Sequence, residues 1–142
     1  MKRYRFALEP VLRVRRIQED VARAGFVAAS HGLAGAEVLL EGSLARYATM
    51  PQQPGPRPAA TWLADRGGLD RTAASVLAAG TAREVAQLRV EEERGALQAA
   101  RMRVTGLERL EGRHREEHAV AVRRDEDAEA DEQFSARYGR TR

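Results

Sequence analysis

Residues 69–107 read LDRTAASVLAAGTAREVAQLRVEEERGALQAARMRVTGL. Leu69, Val76, Val90, Leu97 and Val104 recur in steps of seven, with Arg83 in the missing slot. Thr72, Ala79, Ala86, Ala100 and Leu107 fill the companion position, where Glu93 is the defect. Two weakly apolar positions per heptad mark helices that wrap one another. The proline-free run extends from about 69 to 138 and is rich in Ala, Glu, Arg and Leu, all good helix formers. At 1.5 Å per residue it would be roughly 100 Å long, far beyond a globular helix.

A second such run lies upstream, from about 10 to 49. Leu8, Leu12, Ala22, Phe26, Ala29, Leu33, Ala36, Leu40 and Tyr47 keep the same step, interrupted by Arg15 and Glu19. Pro10 suits a first helical turn, where its missing N–H costs nothing. Between the runs, TMPQQPGPRPAAT (49–61) holds Pro51, Pro54, Pro56 and Pro58 and cannot be helical. DRGGLD (65–70) forms a softer break.

The expected fold is therefore all-α. It is one long antiparallel two-helix coiled-coil hairpin over 1–142, with a helix about 10–49, a Pro-rich turn about 50–60 and a longer helix about 69–138. With the turn there, the first arm should run out of partner near residue 105 and leave the rest of the second helix overhanging. The seam is rich in Ala, carries charges, and sits beside Gly25, Gly32, Gly35, Gly42, Gly80, Gly95, Gly106 and Gly112. Each glycine costs about 1 kcal/mol relative to Ala, so the hairpin should be marginal without partners.

Composition agrees with a slim rod. Only 5% of the 142 residues are aromatic while 32% are charged, too little bulk for a compact core. Cysteine is absent, which excludes disulfides and thiolate chemistry and fits a cytoplasmic protein. The net charge of +3 is uneven: residues 1–25 carry +4, residues 26–122 none and residues 123–142 −1. Charged Glu9, Arg13, Arg15 and Arg16 interrupt every apolar run near the start, so neither a signal peptide nor a membrane span is predicted.

Catalytic and cofactor chemistry find little footing. Glu111, His114 and His118 give E-x-x-H-x-x-x-H, a spacing that could hold a metal, but no third ligand is identifiable and Arg113 and Arg115 crowd it. Glu91, Glu92 and Glu93 lie on an exposed helix with no pocket to desolvate them. No Gly-rich phosphate loop follows a strand. We expect no enzyme activity, no cofactor and no metal. Arg3, Arg5, Arg13, Arg15, Arg16 and Arg23 could contact phosphates, yet the local charge is modest and no aromatic platform interleaves with them, which argues against nucleic acid. A membrane-surface helix is disfavoured because Glu9 and Glu19 thin the apolar face.

RYRFALEPVLRVRRIQEDVARA (3–24) resembles the amino-terminal signature of the flagellar type III export protein FliJ family. LERLEGRHREEH (107–118), followed by an acidic segment carrying DE, is similar to that family's carboxy-terminal arm. The resemblance implies a cytoplasmic, non-catalytic stalk, peripheral to the inner membrane at the flagellar base. Its partners would be the hexameric export ATPase, the membrane export gate protein and export chaperones. On that reading Arg13, Arg16, Glu19, Arg109, Arg113 and Glu117 are candidate contacts to the ATPase ring. Ala36, Leu40, Tyr47, Trp62, Leu69, Ala73 and Val76 are candidate contacts to the gate; Ser43 and Gly80, smaller or less apolar than the family pattern, share their rows. Leu69 and Val76 also serve the seam, and Tyr47 could simply cap the hairpin. The alternatives are the equivalent stalk of a virulence-type III secretion system and a basic helical nucleic-acid-binding protein. Salt-dependent retention on a polyanion would mark the latter.

Overall fold

The computed structural model describes residues 4–50 and 55–138. It is an all-α helical hairpin of α1 (Glu9–Ala48, 40 residues) and α2 (Ala59–Tyr138, 80 residues). Part of the expected turn, with Pro51 and Pro54, lies outside the described residues, as do Arg3 of the basic cluster and residues 139–142.

Local chemistry explains the helix ends. The Glu9 N–H donates to the Phe6 carbonyl at 3.2 Å and the Leu12 N–H to the Leu8 carbonyl at 2.9 Å, so Pro10 enters a turn that needs nothing from its nitrogen. At the far end the Thr49 hydroxyl donates to the Arg46 carbonyl and the Met50 N–H to the Tyr47 carbonyl, closing off α1. Gly55 adopts a φ of 132°, a conformation only glycine reaches without strain.

The second helix begins at Ala59, ahead of the expected start near residue 69. The Trp62 N–H donates to the Pro58 carbonyl at 3.1 Å, and Arg57 pairs with Asp65, so the helix is nucleated directly after the last proline. Gly67 and Gly68 weaken a helix without ending it. A Cβ on Gly68 would stand 3.1 Å from the Met50 Cε, so this glycine admits the end of α1. The helical start before Gly68 therefore projects past Met50, which follows the end of α1.

The chain divides into two compact units, one containing the chain up to Glu19 with α2 from Ala99 onward, the other Asp20–Gln98. In the first, Phe6, Leu12, Ala100 and Val104 are buried, and Leu12 is fully enclosed. In the second, Val90 and Leu97 are buried, while Ala22, Phe26, Ala29, Leu33, Ala36 and Leu40 are half-buried at alternating steps of three and four. This is the heptad seam, read out as solvent exposure. In both units residue numbers fall on one arm as they rise on the other, from Arg16 with Glu108 to Glu19 with Arg101, and from Glu37 with Arg83 to Met50 with Gly68. The arms are antiparallel.

The first arm does not run out of partner near residue 105. Residues 4–6 precede the turn at 7–8 and the helix in non-helical conformation, where each residue can advance about 3.3 Å instead of 1.5 Å. They carry the contact onward to His114 and His118. The unpaired part of α2 begins beyond them.

Candidate functional site

Of the proposed ring contacts, Arg13, Arg16 and Glu19 come from α1 and Arg109, Arg113 and Glu117 from α2, and all six fall in one unit. The Arg16 guanidinium donates to the Glu108 carboxylate at 2.9 Å, an ion pair between the arms. That hydrogen bond is the main cause holding the Arg16 pKa above its ordinary value, partly opposed by desolvation and supported by the charges of Glu108, Glu9 and Glu111. Glu19 occupies a seam position and is turned inward, its side chain 16% exposed, with Arg101 of α2 at 3.7 Å. Its inward turn places a charge in the seam, where Glu19 was expected to interrupt the heptad.

Arg13 faces a groove bordered by Tyr4, Arg5, Phe6, Ala7, Glu9, Pro10, Glu111 and Arg115. Arg109, Arg113 and Glu117 are exposed at four-residue spacing, and the latter two line a shallow surface groove with Glu116, Val120 and Arg124. The six residues are thus distributed between cross-arm ion pairs, a groove and an outer helix face.

Tyr4 and Phe6 were not foreseen as packing residues, because they precede the helix and escape a heptad count. Phe6 is 6% exposed and meets the His114 ring edge-on with centroids 6.0 Å apart. Tyr4 meets His118 edge-on at 5.5 Å, donates its hydroxyl to the Glu111 carbonyl at 3.2 Å and lies under the Arg115 guanidinium. The two imidazoles read above as possible metal ligands are thereby engaged with aromatic rings. Among the described residues no group of three or more metal-ligating side chains is assembled. Their signal in the sequence was the aromatic–basic start itself.

The amino-terminal arginines are largely engaged with other side chains. Arg15 donates to Gln18 and Arg23 to Asp20, while Arg16 is held by Glu108. Arg5 and Arg13 have no carboxylate partner among the described residues. Among the described residues the cluster does not present one continuous face of unpaired cations to a phosphate backbone.

The proposed gate contacts all lie in the Asp20–Gln98 unit or its turn. Ala36, Leu40, Leu69, Ala73 and Val76 are half-buried, and four of them are seam positions already committed to the other arm. Tyr47 and Trp62 are 41% and 58% exposed, in the last turn of α1 and the projecting start of α2. Leu44 and Leu63, off the heptad and unmarked in the sequence, are exposed near them along the chain.

No helix among the described residues is long and apolar enough to cross a membrane. No curated protein and no solved structure matches the chain. A family model does, that of the flagellar FliJ protein, over residues 4–142, taking in the aromatic–basic start, both arms and the proline break. With the hairpin that these residues form, the match shows that the chain belongs to the FliJ family and is a coiled-coil protein associated with flagellar export.

Proposed function

We propose that this chain is the non-enzymatic stalk of the flagellar export ATPase. The end that carries residues 4–19 and α2 beyond Ala99 enters the opening of the hexameric ring, from the cytoplasmic side of the inner membrane. The observation that carries this reading is the family match over 4–142, joined to an antiparallel helical hairpin that exposes Arg13, Arg109, Arg113 and Glu117 in one unit. A rod inside a ring must be narrow and solvated, and its surface charges give orientation and on-rate more than affinity. Arg13, Arg109, Arg113 and Glu117 are exposed for this role, and Arg16 and Glu19 set the register of the arms behind them.

Purified chain added to its cognate ring under ring-forming conditions should raise ATP hydrolysis. Unchanged hydrolysis would remove the stalk role. Reversing Arg13 and Arg16 to Glu should weaken ring binding at unchanged helicity. Because Arg16 also holds Glu108, Arg13→Glu alone is the cleaner variant, and a loss of helicity would assign these side chains to the fold instead.

Contact with the membrane export gate and escort of export chaperones belong to the same reading. Here the exposed Tyr47 and Trp62 are the favoured gate residues, because a large aromatic left in solvent is what a partner pocket takes up. Tyr47→Ala with Trp62→Ala should lower gate binding while leaving ring stimulation intact. Equal loss of both would show general unfolding.

A further inference from the structure

The groove bordered by Tyr4, Arg5, Pro10, Arg13 and Arg115 also carries Glu9 and Glu111, so its three guanidiniums exceed its carboxylates by one. Arg115 is paired with Glu111, while Arg5 and Arg13 are exposed and have no ion pair among the described residues. Farther along α2 in the same unit, directly after Arg123 and Arg124, six carboxylates lie between Asp125 and Glu132, and no basic residue follows until Arg137. All six are exposed, and none is ion-paired among the described residues.

Glu126 and Glu129 stand about three and four helical turns beyond Arg115, so they continue the face that carries Arg115, His118 and Val122. His118 and Val122 are half-buried, while the same face beyond them is open. Because α2 is continuous to Tyr138, the acidic run cannot fold back onto its own groove. At 1.5 Å per residue, Arg115 and Asp125 are held about 15 Å apart along the axis.

We propose that two copies of this chain associate through an isologous contact between these surfaces. The Glu126 and Glu129 face of each α2 lies in the Arg5, Arg13 and Arg115 groove of the other copy. An antiparallel crossing of the two overhangs about a twofold axis repeats the pairing twice, because groove and acidic run sit at a fixed spacing on one helix. An unrelated acidic partner would satisfy the groove alone and leave Glu126 and Glu129 without an ion pair. The contact shares Arg13 with the ring reading, so a copy held in the dimer is not free to enter a ring, but the dimer needs no ring to be tested.

The test is the solution mass of the full chain by light scattering at about 20 mM and about 0.5 M salt, since exposed ion pairs are screened as the Debye length shrinks. At low salt the mass should be near twice the 15.7 kDa of one chain, and at high salt it should fall to that of one chain. Arg5→Glu with Arg13→Glu should be monomeric at low salt, and so should Glu126→Arg with Glu129→Arg, both with wild-type helicity. An equimolar mixture of the two variants should return to the dimer mass, because each heterodimer then has one wild-type and one doubly reversed contact. A monomeric wild type at low salt, a dimer that survives either reversal, or a mixture that stays monomeric would each overturn the proposal.

Discussion

In the unit that contains residues 4–19 and α2 from Ala99, polar side chains reach from one arm to the other. Tyr4 bonds the Glu111 carbonyl, Arg16 holds Glu108 and Glu19 meets Arg101, around a fully enclosed Leu12. In the Asp20–Gln98 unit, the seam hydroxyls turn back on their own helix. Ser30 donates to the Phe26 carbonyl, Ser43 to Leu39 and Thr72 to Gly68, and Arg83 pairs with Glu37 of the other arm at 3.8 Å, about as far as Glu19 from Arg101. A hydroxyl satisfied within its own turn costs nothing to bury but says nothing about the neighbouring arm. The first unit therefore carries hydrogen bonds between the arms that help fix register, while the second relies mainly on the apolar contacts of its seam.

The largest effect expected from this contrast is on core truncation. Leu12→Ala should destabilise the chain by about 2–4 kcal/mol, because a fully enclosed leucine leaves a cavity. Leu40→Ala, at a half-buried seam position, should cost only about 1 kcal/mol. Chemical denaturation of the two variants measures the difference, and equal losses would break the comparison.

The loosely packed unit should also be the easier one to improve. A Cβ at Gly32 or Gly35 would meet nothing within 4 Å, so replacing both with Ala should raise stability by about 1–2 kcal/mol through helix propensity alone. No gain in thermal midpoint would mean that those glycines serve a close approach not visible in the folded chain.

A smaller gain, about 1 kcal/mol, is expected from Glu93→Leu. Glu93 lies in the seam with its side chain 17% exposed, bonded to Arg89 of its own helix at 2.6 Å. A Cβ built on Gly25 would fall 2.7 Å from its Oε2, so the carboxylate occupies room that glycine leaves in the opposite arm. A leucine there replaces a charge that makes no bond across the seam. Destabilisation by this change would show that the charge contributes more than its position suggests.

The smallest effect concerns the ion pairs of the first unit. Glu19→Gln should cost a few tenths of a kcal/mol, since Arg101 remains largely in solvent, and the loss should shrink as salt rises. The same substitution tests register, because it removes charge while keeping shape.

Much of this fold was legible in advance for a simple physical reason. A heptad is a local property of the chain, and so is a proline cluster, so two helices and one turn could be read residue by residue. Leu12, Val90, Leu97, Ala100 and Val104 were all seam positions by spacing, and all are buried. The start of α2 was read too late because glycine propensity was weighed alone, while Pro58, Trp62, Arg57 and Asp65 nucleate the helix earlier. The functional surfaces were less legible. Whether Arg13 is exposed and Arg16 is held by Glu108 depends on side chains far apart in the sequence.

By itself the sequence determined the helical period, the single break and the inequality of the arms, because each follows from neighbouring residues and their backbone preferences. Only the tertiary structure decided how far the arms stay in contact. Tyr4 and Phe6 extend the first arm to His114 and His118 by leaving the helix, and no periodicity announces that. It also decided which seam charges are answered across the hairpin, because such a bond requires one arm to be placed against the other within a few ångströms. Glu19 finds Arg101 in this way, while Glu93 finds only its own helix and the space beside Gly25.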